Sequence, residues 1–284
     1  FHGLIAARWA GVPSVCHVRV IVERPAWMRT LMTRVALRYA DRIICVSKAV
    51  KRMMFPNAPQ SDSQVRVVYD GGPDLSVFDP EKVQGTLRKD LGIPEDAFVV
   101  GMVSKLVPVK GQDDFLRAAV QLHSKGKQDF YYVLVGGSLE KYEQFAQKLR
   151  LLAEQGGITD RVIWTGMRRD IPELIASLDV LVHVPKYQEP FPGVVLEGMA
   201  MAKPVVAYDS GGIREQFSNQ ESGILVSQGD VKALSEALLQ LNQNPQRRET
   251  MGREARRFLH AHFSLEKHFA ELDALYEELT SAKR

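Results

Sequence analysis

Cysteine is scarce. The 284 residues hold two, Cys16 and Cys45, each inside an apolar run, which leaves no disulfide framework and reads as two reduced, buried thiols. Charge of one sign is lacking as well. A net charge of +3, with 25% of residues charged, creates no global field for nucleic acid. No apolar run reaches the length of a bilayer-spanning helix, and no signal peptide is visible. The seven histidines form no HxxxH pair and no Cys/His cluster, so no metal site is expected. Repeats and low-complexity tracts are missing too. The remaining composition, 45% hydrophobic, is that of a soluble globular protein with one large domain or two ordinary ones.

Apolar, β-rich runs and amphipathic helical patterns alternate along the chain. Strands are expected at 14–22, 42–47, 65–69, 98–103, 130–135, 161–165, 180–184, 204–208 and 223–226. Helices are expected at 4–9, 25–40, 48–54, 113–124, 142–155, 170–177, 194–201, and again from Val231, Pro245 and Ser264. The 25–40 pattern places Met28, Leu31, Met32, Val35 and Tyr39 on one apolar side and Arg29, Arg34 and Arg38 on another. Residues 78–94, polar and broken by Pro80, Gly85, Gly92 and Pro94, read as a linker between two units. Continuous apolar strands alternating with helices imply α/β architecture with parallel sheets covered on both faces.

In such sheets ligands bind beyond the carboxyl ends of strands, often at helix N-termini. Two loops fit, Ser104–Gly111 and Glu189–Gly193. The second carries a carboxylate and a Pro-Phe-Pro-Gly turn, then a helix from Val194 whose first turn is expected to hold Glu197. Buried carboxylates need partners, either ligand hydroxyls or structural Arg and N–H groups. Lys105 and Lys110 in the first loop would suit a phosphate, or are two solvated loop lysines.

Seven segments in order resemble the GT-B-fold retaining glycosyltransferases of family 4 (glycosyl transferases group 1). They are Ala40–Ala49, Val65–Asp74, Gly101–Gly111, Val162–Met167, Leu178–Val182, the E-x7-E pair Glu189 and Glu197, and Pro204–Gly212. The resemblance implies two Rossmann-like parallel-sheet domains, the first incomplete. Residues 1–80 would be part of an acceptor-side domain, 81–260 the nucleotide-sugar domain, and 261–284 a helix returning to the first. A complete first domain would need on the order of a hundred more residues upstream, so a fragment or truncated chain is expected.

The activity implied is metal-independent, retaining transfer of a sugar from a UDP- or GDP-sugar donor to a saccharide or lipid-linked acceptor, without a cofactor. By the same resemblance, Lys105 and Lys110 would neutralise the departing diphosphate, Lys105 standing where Arg is usual. Gly193 and Val194 would offer it backbone N–H groups, while Pro192, where Gly is usual, offers none. Glu197 would hold the ribose hydroxyls, and Glu189 would contact the donor sugar and stabilise positive charge at the reacting carbon. Phe191 packs beneath the sugar or belongs to the core. Either His17 or Arg19 stands where the family has a catalytic-site His, and His183 reads as packing. Gly211–Gly212 lets backbone approach the ligand or turns the chain. The Trp27–Arg42 segment either presents a solvated face or rests peripherally on an anionic membrane. The implied setting is polysaccharide biosynthesis in the cytoplasm or at the inner membrane face, with no nucleic-acid partner. Alternatives are a nucleotide-sugar-binding module inactive as a fragment, and a GT-B epimerase or phosphorylase.

Overall fold

A computed structural model describes residues 2–59 and 61–281. Its first part runs α1 (His2–Ala10), β1 (Val15–Val18), α2 (Ala26–Tyr39), β2 (Arg42–Cys45), α3 (Lys48–Met54) and β3 (Val65–Val67). After the short α4 (Leu87–Asp90) come β4 (Phe98–Val103), α5 (Gln112–Ser124), β5 (Phe130–Val135), α6 (Glu143–Gln155) and β6 (Val162–Gly166). The chain continues through α7 (Ile171–Ala176), β7 (Val180–His183), α8 (Gly193–Ala200), β8 (Val205–Tyr208) and β9 (Ile224–Val226). Helices α9 (Val231–Gln243), α10 (Pro245–His262) and α11 (Leu265–Ser281) complete it.

Two all-parallel sheets result. One is three-stranded in the order β1-β2-β3; the other is six-stranded in the order β6-β5-β4-β7-β8-β9. In the larger sheet the chain moves outward from β4 to one edge and then from β7 to the other, so the order reverses between β4 and β7. That reversal opens a crevice at the carboxyl ends of those two strands. Strands β4 and β5 are apolar throughout because both faces are covered. One buried cluster, with Phe115, Leu122, Tyr132 and Leu238, lies on one face. The other joins Val99, Val195 and Met199 to Val18, Ile43 and Cys45 of the smaller sheet. Ser47, Asp230 and Asn244 cap α3, α9 and α10 through their side chains.

Helix α11 packs on the smaller sheet. Leu275 and Leu279 meet Ile44 and Val68, and Glu278 pairs with Arg42 at 2.6 Å and Arg66 at 2.8 Å.

Four expectations are corrected. Strand β1 ends at Val18 because its partner β2 ends at Cys45, and residues 19–23 leave the sheet. Strand β8 starts at Val205, since Pro204 has no N–H for the ladder. Helix α8 starts at Gly193, so Glu197 is its fifth residue and lies past the first turn. On α2 the apolar stripe is only partly covered: Met28, Met32, Val35 and Tyr39 are half-buried, Leu31 is 53% exposed, and Ala36 alone is buried.

Candidate active site

The two loops proposed from sequence are one place. Loop 104–111 leaves β4 and loop 184–192 leaves β7, so both hang over the crevice where strand order reverses. They touch along their backbones. Gly111, at φ +82°, lies so close to Val184 that a Cβ would stand 1.9 Å from its carbonyl oxygen, and the Lys186 N–H donates to Val109 at 2.8 Å. Only glycine meets both demands at 111. Buried Gln112 ties the first loop down, donating to Ser104 Oγ at 2.9 Å and the Lys105 carbonyl at 2.7 Å.

Lys110 crosses this contact and pairs with Glu189, Nζ to Oε2 at 3.0 Å. The same ammonium lies 2.9 Å from the Tyr187 hydroxyl. His183 Nε2 is 3.5 Å from Glu189 Oε2, and neither of its ring nitrogens has a hydrogen-bond partner. Burial alone would raise the Glu189 carboxyl; the Lys110 ammonium and the Tyr187 hydroxyl beside it, with the His183 ring close by, hold it below the usual carboxylate range. Burial keeps the His183 ring below its ordinary value, hence neutral at pH 7, which leaves Lys110 as the lasting cation beside Glu189. The result is a nearly buried carboxylate that stays ionised.

Lys105 sits on the same loop with its side chain exposed and engaged by no ion pair among the described residues. Gly193 and Val194 open α8, whose N-cap Pro192 supplies no side-chain cap. Their N–H groups have no intrahelical acceptor and carry the positive end of the helix dipole. Gly193 lines a cavity of about 340 Å³ together with Arg19, Asp70, Leu196 and His268. His17 is not among the lining residues. Arg19 is, held by a bidentate pair to Asp70 at 2.6 Å, so of the two residues between which the sequence left the choice, Arg19 faces this cavity.

Glu197 is half-buried, and its carboxylate has no hydrogen-bond or ion-pair partner among the described residues. Desolvation therefore raises its carboxyl, and the first-turn dipole that would have excused it lies a turn away. A raised acid favours folding below its unfolded value near 4.5, and that contribution is lost as pH rises through the folded value. Glu197→Gln should accordingly unfold with the wild-type midpoint near pH 4 but be about 1 kcal/mol more stable at pH 7. Urea titrations at the two pH values would show it; a variant less stable at pH 7 would mean that the carboxylate has a structural partner.

The residues read as ambiguous resolve differently. Phe191 is buried, with its ring 5.4 Å from Tyr69 and 5.2 Å from Phe263, and it also lines the cavity beside Gly193. Gly211 and Gly212 admit backbone, but that of the site loop: a Cβ would lie 2.1 Å from the Glu189 carbonyl oxygen and 1.9 Å from that of Pro190. The Gly212 N–H donates to Glu189 at 2.8 Å. This turn is the bed on which the Glu189 loop rests.

Sequence reasoning missed the contacts that hold this loop against the first part of the chain. The Gln188 N–H donates to Glu23 at 2.7 Å and Ser47 Oγ to the Pro190 carbonyl at 2.8 Å. Glu215 accepts from the N–H groups of Lys48 (2.8 Å) and Ala49 (2.7 Å) and from the Tyr69 hydroxyl (2.9 Å). It thereby caps α3 from the other half of the molecule. Tyr187 was findable, two residues before Glu189; Glu215 gave no local signal. Glu215→Ala should cost about 2–4 kcal/mol in urea unfolding, since it removes two cap bonds and one side-chain bond. A loss under about 0.5 kcal/mol would show that water replaces the carboxylate.

The ordered motifs and this geometry agree with relatives. A D-inositol 3-phosphate glycosyltransferase from Salinispora tropica is 32% identical over 256 residues, covering 86% of this chain and 52% of its own length. The 2-deoxystreptamine glucosyltransferase of Streptomyces kanamyceticus is 27% identical, covering 86% of this chain and 65% of its own length. The chain thus spans about half to two thirds of these relatives. Among solved structures, HepE of Anabaena in complex with UDP-glucose superposes with a TM-score of 0.85 at 28% identity, over 98% of this chain and 75% of its own. The two all-parallel sheets and this likeness agree with the GT-B architecture. Residues 83–258, from just before α4 to near the end of α10, match the family described as glycosyl transferases group 1, to which this chain belongs.

Proposed function

We propose that the protein moves a sugar from a nucleoside-diphosphate donor to a saccharide or lipid-linked acceptor with retention of configuration and without a metal. The observation that carries this reading is the ionised Glu189 carboxylate, joined through Lys110 to the loop of Lys105 beside the uncapped start of α8. Breaking a glycosidic bond to a diphosphate creates negative charge on the phosphates and positive charge at the anomeric carbon. Lys105, Lys110 and the N–H groups of Gly193 and Val194 meet the first, in place of a metal ion. Glu189 meets the second. Glu197 then gains partners in the ribose hydroxyls, which offset the cost of its desolvation.

UDP is the favoured nucleotide, because HepE of Anabaena, at 27–28% identity, is solved with UDP and with UDP-glucose. Among the described residues no helix is long and apolar enough to cross a membrane. The exposed Trp27 and Leu31 on the arginine-bearing α2 suit a peripheral seat on the cytoplasmic face of a membrane, near a lipid-linked acceptor.

A thermal-shift panel of uridine, UDP, GDP, UDP-glucose and UDP-N-acetylglucosamine tests the donor. Ligand at a hundred times Kd should add about 2.7 kcal/mol of apparent stability. Larger shifts for UDP and one UDP-sugar than for uridine are expected. No shift with any nucleotide would refute the reading.

A further inference from the structure

A second cavity, of about 350 Å³, lies between α3 and β3 and shares no lining residue with the cavity at α8. Four cations line it, Lys48, Lys51, Arg52 and Arg66, and no carboxylate does. Lys48, Lys51 and Arg52 share one face of α3 at spacings of three and four, where like charges repel. The helix itself holds no acidic residue; Glu215 meets the N–H groups at its start, where Lys48 opposes the helix dipole, and does not line the cavity. Lys48 and Arg52 are exposed and have no ion pair among the described residues. Buried Lys51 is held in place by the Val65 carbonyl at 2.6 Å, and Arg66 is oriented by Glu278 at 2.8 Å. Phe55, Pro56, Ala58 and Val67 supply an apolar wall. Stability alone would disperse such charges.

We infer that this pocket binds the phosphomonoester of a compact organic phosphate. The cations would engage the dianion through charge-assisted hydrogen bonds, and the apolar wall would take the carbon frame. A bare ion would leave that wall unused. The site goes beyond the donor chemistry above, and the same ligand group occurs on a soluble sugar phosphate and on a phosphatidic acid headgroup.

Calorimetry with glucose 6-phosphate and with glucose, together with co-sedimentation on phosphatidylcholine vesicles with and without phosphatidic acid, tests it. The Lys48→Ala/Arg52→Ala variant is compared with an Arg117→Ala/Lys125→Ala variant that loses the same charge elsewhere. Binding of glucose 6-phosphate but not glucose, weakened roughly tenfold or more only in the first variant, is expected for a soluble ligand. Vesicle binding that needs phosphatidic acid and is lost only in the first variant would assign the pocket to a lipid headgroup. If neither probe binds, or both variants behave alike, the inference is overturned. UDP binding, measured in parallel, separates this outcome from failure of the donor site.

Discussion

Glu189→Gln is expected to lower the rate of sugar transfer by about 10²–10³-fold while the apparent affinity for UDP changes little. The amide keeps the size and one acceptor oxygen of the carboxylate but cannot bear charge opposite the developing positive carbon. It also strands Lys110 without its anion at 3.0 Å. Because the Glu189 carboxyl is held below its unfolded value of about 4.5, its contribution to stability is complete above that value and is lost as pH falls through the lower folded value. The variant should therefore be less stable at pH 7, by about 1–3 kcal/mol, and lose less on acidification than the wild type. Turnover would be followed by UDP release and binding by calorimetry. Unchanged turnover would remove Glu189 from the chemistry. Loss of turnover together with loss of UDP binding would assign it to shaping the pocket.

Lys105→Ala and Lys110→Ala are expected to weaken UDP binding by about 10–100-fold each, and the uridine affinity much less. The two variants should differ in another respect. Lys105 is exposed and unpaired among the described residues, so its loss should leave the unfolding midpoint unchanged. Lys110 is half-buried between Glu189 and Tyr187, so its loss leaves an uncompensated carboxylate and should destabilise by about 3 kcal/mol. Equal weakening for UDP and uridine would argue against diphosphate recognition. A Lys105 variant as unstable as the Lys110 one would show that the exposed lysine also has a structural task.

Much of the fold was legible because the strands announce themselves. Phe98–Val103 and Phe130–Val135 are apolar without interruption, and both spans are found unchanged. The amphipathic α5 and α6 carry their apolar residues at helical spacing and begin within one residue of expectation. Errors lie where a boundary depends on a partner in space: β1 stops where β2 stops, not where its own β-rich run ends. The α2 stripe is only half-covered, because amphipathicity marks a face that can be buried and does not say how much packs against it.

In the site, Glu189, Lys105, Lys110 and the Gly193 turn were readable as residue types in loops that follow strands and feed helices. That pattern alone predicts where ligand-binding groups belong in a parallel α/β protein. The convergence of the two loops was not readable. It follows from strand order, which sets β4 beside β7 although about eighty residues separate them, and strand order is a long-range property that local propensity does not encode. For the same reason only the tertiary structure could show the Lys110–Glu189 pair, the neutral His183 beside it, the Phe191 ring packed between Tyr69 and Phe263, or Glu215 reaching across to cap α3. The sequence by itself determined the α/β class, the strands and the charged groups of the site. The fold decided which of those groups meet, because burial and pairing depend on what packs from elsewhere in the chain.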